Sequence, residues 1–214
     1  MKKFVFFLLL MVLCFSGFTQ NARQFTLGFH GGGVFGLHNA GSYTYNAYYD
    51  RKLPQINPMF GVYGAYTLFR GFSLQAELDG MIYQRMEWVQ NRSTEETRTW
   101  TYSSIDIPIL VRYAFTFERA FIGIFSGLHW SIPVGGIKKI DSEGKNDDDY
   151  KTSGITWGAT TGFFAGGRVG PGRLFAELRV FGDFNPLWAW VNDYEEAIIY
   201  RLAPVIMLGY EFSF

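Results

Sequence analysis

From Gln24 onward the apolar residues recur at every second position, the period of a strand that buries one face, and no stretch sustains helical spacing. The alternation predicts eight strands, at roughly 24–37, 59–69, 72–88, 100–115, 120–132, 154–169, 173–185 and 199–214. In the third, Phe72, Leu74, Ala76, Leu78, Gly80 and Ile82 oppose Ser73, Gln75, Glu77, Asp79, Met81, Tyr83 and Arg85. In the fourth, Ile105, Ile107, Ile109, Val111, Tyr113 and Phe115 oppose Ser104, Asp106, Pro108, Leu110, Arg112 and Ala114. The seventh sets Leu174, Ala176, Leu178, Val180 and Phe184 against Arg173, Glu177, Arg179 and Asp183, and the last sets Ile206, Leu208, Tyr210, Phe212 and Phe214 against Met207, Gly209, Glu211 and Ser213. Pro204 breaks this pattern, because a proline inside a strand removes a ladder donor; it predicts a bulge.

Short and long connections alternate along the chain. The short ones are Arg70-Gly71, Thr116-Phe117-Glu118-Arg119 and Gly170-Pro171-Gly172; the long ones are 38–58, 89–99, 133–153 and 186–198. Four long loops therefore gather at one end, and three tight turns with both termini at the other. An up-and-down antiparallel meander with an even number of strands has this form, and transmembrane barrels share the asymmetry, with short periplasmic turns and long outer loops.

A soluble barrel and a membrane barrel carry the same alternation with inside and outside exchanged. Aromatic placement separates them. All six tryptophans, Trp88, Trp100, Trp130, Trp157, Trp188 and Trp190, fall on the long-loop side, whereas Phe25, Phe69, Phe72, Phe115, Phe117, Phe121, Phe175, Phe212 and Phe214 gather at the opposite rim. Two aromatic girdles around an aliphatic band are what a bilayer with two interfaces selects. The fold expected is therefore all-β, an eight-stranded antiparallel up-and-down transmembrane β-barrel. Inward parity then collects Glu77, Asp79, Asp106, Glu177, Asp183 and Glu211 against Arg85, Arg112, Arg168 and Arg179, which is a charged plug rather than a pore.

The chain opens Met1-Lys2-Lys3, continues with an apolar run from Phe4 to Phe15, and reaches small residues at Gly17 and Thr19. This is the pattern of a secretory signal peptide, read as residues 1–19 with cleavage after Thr19, leaving 20–214 as the barrel domain. The apolar run is shorter than the ~18 residues of a spanning helix. Cys14 is the sole cysteine and lies within it, so the remainder holds no disulfide, thiol nucleophile or thiolate metal site. Leu13 before Cys14 is not small, which argues against lipid attachment there. With 19 basic and 19 acidic residues the chain is neutral, and loss of Lys2 and Lys3 leaves 17 against 19; this excludes a polycationic nucleic-acid surface.

The end of the chain, Gly209-Tyr210-Glu211-Phe212-Ser213-Phe214, alternates aromatics up to Phe214 and resembles the signal by which the barrel-assembly machinery recognises its clients. With Phe72-Ser-Leu-Gln-Ala-Glu-Leu78, Ile105-Asp-Ile-Pro-Ile-Leu-Val-Arg-Tyr113, Phe121-Ile-Gly-Ile-Phe-Ser-Gly127 and the segment 162–183, nearly the whole chain beyond residue 20 resembles the PorT-like family, related in architecture to OmpX and OmpA barrels. The resemblance implies an eight-stranded outer-membrane barrel of a Gram-negative bacterium. The secretion role in the family's name does not transfer on fold alone.

Candidate chemistry is thin. His129 and Ser131 share a face, with Glu143 beyond, similar to the His-x-Ser pair and Glu of outer-membrane lipid A deacylases; but Ile132 stands where that family has Asn, and inward parity beside Gly123 and Gly127 holds the pair away from lipid. Asp141, Glu143, Asp147, Asp148 and Asp149 offer hard oxygens for calcium without the spacing of an EF-hand, so a solvated loop is expected. His30 and His38 do not pair as metal ligands, and Gly31-Gly32-Gly33 sits in a strand, where small residues relieve crowding. No catalytic, cofactor or metal residue is assigned, and no enzymatic activity is expected. The expected protein is a monomer in the outer membrane, surrounded by lipid and lipopolysaccharide. Its loops, with Tyr43, Tyr45, Tyr48, Tyr49, Trp188 and Trp190, present surface for an envelope protein partner.

Overall fold

A computed structural model describes residues 25–35, 37–42, 50–51, 56–69, 71–89, 97–140, 146–185, 187–191 and 195–214, with side chains described for 25–35, 56–69, 71–82, 103–134, 154–185 and 201–214. The expected signal segment, Glu143 and the tyrosines at 43, 45, 48 and 49 lie outside these residues. The described chain contains no helix. Its strands are β1 (Phe25–Phe35), β2 (Leu37–Ser42), β3 (Asp50–Arg51), β4 (Ile56–Phe69), β5 (Phe72–Val89), β6 (Thr97–Thr116), β7 (Ala120–Ile140), β8 (Asn146–Ser153), β9 (Thr156–Val169), β10 (Gly172–Asp183), β11 (Leu187–Val191) and β12 (Glu195–Ser213).

Eight of these strands form the wall. Antiparallel ladders run from β1 to β4, β5, β6, β7, β9, β10 and β12, and the β1–β12 ladder from Thr26↔Ser213 to Val34↔Val205 closes the ring. Closure leaves the described eight-stranded wall without an edge strand, as a structure surrounded by hydrocarbon requires. Successive strands meet through tight turns that include Gly71, 117–119 and 170–171. Gly71 and Gly170 have φ of 82° and 59°, which glycine adopts without Cβ strain. The other connections carry β2, β3, β8 and β11, all at the opposite end.

Strands reach further at that end than hydrophobic alternation predicted. Segments read as loops contain β2, β3, β8, β11 and the outer parts of β7 and β12. The acidic run is one of them: Asp148 and Asp149 lie in β8, in register with Lys139 and Lys138 of β7. Where both faces of a hairpin meet water, nothing selects a period of two, and backbone pairing persists without an apolar signature.

Within the wall the predicted faces hold. Leu27, Val62, Leu74, Leu78, Ile109, Val111, Ile122, Ile124, Leu178, Ile206 and Leu208 are exposed on the outside. The outward rims carry Trp130 and Trp157 at one end and Phe25, Phe115, Phe117, Phe212 and Phe214 at the other. Two phenylalanines assigned to the girdle belong inside instead: Phe121 and Phe175 are 4% and 2% exposed. Both sit at odd positions among inward neighbours such as Phe125 and Glu177, so strand parity overrides their position at the rim.

Their role inside explains the abundance of glycine. Five inward rings each lie on a glycine of the adjoining strand, the direct cross-strand partner: Tyr63 on Gly28, Phe121 on Gly166, Phe125 on Gly162, Phe164 on Gly123 and Phe175 on Gly209. A Cβ added at these glycines would fall between 2.2 and 2.7 Å from the ring. Rings lying flat over bare backbone leave space above them, and guanidinium groups fill it. Arg112 stands 4.1 Å above Phe164, Arg179 5.0 Å above Phe125 and Arg173 5.1 Å above Phe121, within cation–π range. Gly32 answers a different need, since a Cβ there would lie 1.9 Å from the Ile206 carbonyl oxygen of β12.

Pro204 is accommodated without a bulge on its β10 side, where the register runs unbroken through Val180↔Pro204. On its other side the β1 ladder stops at Val34↔Val205 and the β2 ladder resumes at Leu37↔Leu202. The proline falls in that interruption.

Candidate functional site

Among the described residues, ionisable side chains concentrate in the lumen. Six carboxylates and four arginines of the described set line it, distributed over β5, β6, β10 and β12 and arranged as three clusters along the axis.

Nearest the long loops, Arg201 bridges two strands. Its Nη2 and Nη1 donate to Asp106 Oδ1 and Oδ2 at 2.9 and 3.2 Å, and Nη2 and Nε donate to Asp183 Oδ1 at 3.1 and 3.3 Å. Asp183 also meets His129 Nε2 at 2.8 Å, and Ser104 donates to Asp106. In the middle, fully buried Arg179 donates through Nε to Glu177 at 2.6 Å and through Nη1 and Nη2 to Glu77, with Asp79 3.4 Å away. His30 Nε2 lies 2.7 Å from the other oxygen of Asp79. Gln75 donates to Glu77 and accepts from Arg112, which links this cluster to the third. There Glu211 accepts the Tyr63 hydroxyl at 2.7 Å, with Arg173 Nε at 2.8 Å and Arg112 Nη1 at 3.6 Å.

Two apolar clusters pack among these charged groups. Val34, Met59, Met81, Phe181, Ala203, Val205 and Met207 form one; Tyr63, Ala65, Leu110, Phe121, Phe125, Phe164 and Phe175 form the other. Charges taken out of water are tolerable only when they are paired and fully hydrogen bonded, and the forked guanidinium does this for two or three carboxylates at once.

All six carboxylates expected inside are there, with Arg112 and Arg179. Arg168 is not: it sits at the mouth, exposed, where β9 is about to end, with its backbone N–H donating to the Arg119 carbonyl. The side chain of Arg85 is outside the described set. Two inward residues that carry much of the pairing, Arg201 and His30, were missed. Stepping back by twos from Met207 through Pro204's neighbours reaches Arg201, and stepping from Thr26 reaches His30, so the signal was the same parity.

His129 and Ser131 both face inward and are buried, yet they do not form a nucleophilic pair: His129 Nε2 is engaged with Asp183 and its Nδ1 has no hydrogen-bond partner. His30, Glu77 and Asp79 bring ligand atoms within 4.8 Å of one another, a convergence that spacing could not reveal because β4 lies between β1 and β5. The cation these residues hold is the Arg179 guanidinium, bonded to Glu77 and close to Asp79.

A family model described as outer membrane protein beta-barrel domain matches residues 17–186. The chain belongs to that family. Its place is accordingly the outer membrane, and its outward aliphatic face is the lipid-facing one. Among solved structures it is similar to the N-terminal β-barrel domain of Pseudomonas aeruginosa OprF, at 11% identity and a TM-score of 0.46 over 89% of this chain and 97% of that one. It is also similar to E. coli outer membrane protein W, at 15% identity and a TM-score of 0.44 over 92% and 100%. AlkL aligns at 12% identity and a TM-score of 0.46 over 91% of each chain. No curated protein matches by sequence.

Proposed function

We propose that the protein is a closed, non-conducting outer-membrane barrel with a structural or interaction role, its partner contacts made by the surface beyond the bilayer at the long-loop end. The observation that carries this reading is Arg179. It stands fully buried in the lumen, joined at once to Glu77 of β5 and Glu177 of β10, with Phe125 and Phe181 against its guanidinium. An eight-stranded barrel has roughly the width that side chains fill, and a cross-brace of this kind leaves no continuous water path.

Lipid and lipopolysaccharide then contact the wall, the barrel-assembly machinery engages β12, and the barrel stands as a monomer. A second reading is a subunit of an envelope secretion or motility machine. A lipid A hydrolase is the weakest of the three, because His129 is committed to Asp183 rather than to Ser131.

Planar-bilayer recording of the refolded protein tests the main reading. A silent barrel is expected; steady porin-sized conductance would overturn it. Affinity purification from native membranes separates the first two readings, a stoichiometric envelope partner favouring the machine subunit.

A further inference from the structure

The lumen is not filled at its short-turn end. A recess of about 200 Å³ opens there, with the Arg112 and Arg173 guanidinium groups, the Glu211 carboxylate and the hydroxyls of Thr67 and Ser73 on its walls. At the ~30 Å³ that one water occupies in the liquid, this is room for six or seven waters, or for one compact polar group with a short stem.

Charge decides what kind of group. Two guanidiniums share the single carboxylate of Glu211, which is already hydrogen bonded by Tyr63. Arg112 gives Nη1 to Gln75 and Glu211. Arg173 Nε approaches Glu211 to 2.8 Å but off the direction of a hydrogen bond, so this buried donor is unsatisfied. Arg119 and Arg168 stand exposed at the same mouth. Among the described residues the charged side chains of this end are thus Arg112, Arg119, Arg168 and Arg173 against Glu118 and Glu211. Apolar surface completes the recess: the rings of Phe121 and Phe164 line it beneath the two guanidiniums.

We infer that this recess binds one anionic group, a carboxylate or a phosphate, entering from the short-turn end, the periplasmic side in barrels of this kind. Arg173 and Arg112 clamp its oxygens as guanidiniums clamp oxyanions generally, Thr67 and Ser73 donate to those that remain, and the rings receive the stem. The inference rests on the plugged reading in one respect: the packed layer of Tyr63, Phe125 and Leu110 makes the recess a blind pocket and not the vestibule of a channel.

Refolded protein in detergent micelles, at fixed ionic strength, is titrated with inorganic phosphate and with benzoate while the arginine Nε–Hε signals are followed by NMR, with chloride as the reference anion. Saturable one-to-one binding of either probe is expected, phosphate alone indicating a phosphate site and benzoate alone a carboxylate with a ring-bearing stem. Arg173→Gln is expected to weaken binding about tenfold or more; its side chain is a third exposed, so the variant folds even if Arg112→Gln does not. Arg168→Gln, outside the recess, is expected to change it less than twofold. Shifts that follow chloride without saturating, or an Arg173→Gln protein that titrates as wild type, would overturn the inference. Conductance measured on the same preparation keeps the two readings apart: a silent barrel that binds neither probe defeats the anion site alone, and an open one defeats the plug.

Discussion

The central brace gives the sharpest test of what holds this barrel together. Arg179 is fully buried, serves Glu77 with two nitrogens and Glu177 with a third, and lies 3.4 Å from Asp79. Arg179→Met retains most of the side-chain length that packs on Phe125 and Phe181, but it leaves those three carboxylates with only His30 and Gln75 for company. Breaking a buried ion pair by removing one partner costs roughly 3 to 5 kcal/mol, most of it the penalty of the stranded charge. The upper half of that range is expected here, since more than one carboxylate is stranded. Arg179→Lys keeps the charge and loses the fork, so an intermediate loss of about 1 to 3 kcal/mol is expected. Adding Glu77→Gln to Arg179→Met should recover stability, with a coupling of at least about 1 kcal/mol in the double-mutant cycle. Urea unfolding of barrels refolded in lipid bilayers, followed by tryptophan fluorescence and by heat-modifiable gel mobility, reads wild type, these three variants and the Glu77→Gln single variant that completes the cycle. If Arg179→Met unfolds within 0.5 kcal/mol of wild type, the usual scatter of neutral surface changes, or matches Arg179→Lys, then the brace is not what stabilises the lumen.

Two further perturbations address the wall. A Cβ at Gly162 would sit 2.2 Å from the Leu178 carbonyl oxygen and 2.4 Å from the Phe125 ring, so Gly162→Ala is expected to destabilise by about 1 to 3 kcal/mol in the same urea assay, whereas alanine at Gly182, whose nearest neighbour would be a flexible Leu202 methyl at 3.9 Å, should be nearly silent. Equal effects would sink the glycine–ring packing. For topology, membrane-impermeant amine labelling of intact cells is expected to reach Lys138, Lys139 and Lys145, and a single cysteine placed at Pro171 should stay unlabelled until the outer membrane is permeabilised; the opposite pattern would invert the barrel.

How much of this was legible follows from what each surface faces. Lipid outside and a packed lumen inside impose opposite preferences on alternate residues, so the wall from Phe72 to Ile82 or from Ser104 to Phe115 could be read by parity alone. Beyond the bilayer both faces meet water, and the strands of 146–153 and 187–191 carry no such record. Two of the three tight turns carry a glycine signal, Gly71 and Gly170, which adopt positive φ. Phe121 and Phe175 were misplaced for an instructive reason: aromatic girdles and lumen aromatics use the same residue near the same rim, and only the parity of the strand distinguishes them.

The interior shows the limit more sharply. Parity names which charges point inward but not which ones meet, because partners across a lumen are set by the shear of the barrel rather than by any spacing along the chain. His30 on β1 reaches Asp79 on β5 past an intervening strand, and Arg201 on β12 reaches Asp106 on β6 from almost the opposite wall. Such cross-braces also explain why the lumen needs both its glycines and its aromatics. Arg179 reaches across the lumen over the Phe125 ring, and that ring lies close against the wall because Gly162 of the neighbouring strand has no side chain there. Glycine, aromatic and arginine are therefore one packing unit. It repeats at Gly123, Phe164 and Arg112 and again at Gly166, Phe121 and Arg173, the two places where its guanidinium faces the recess at the short-turn end.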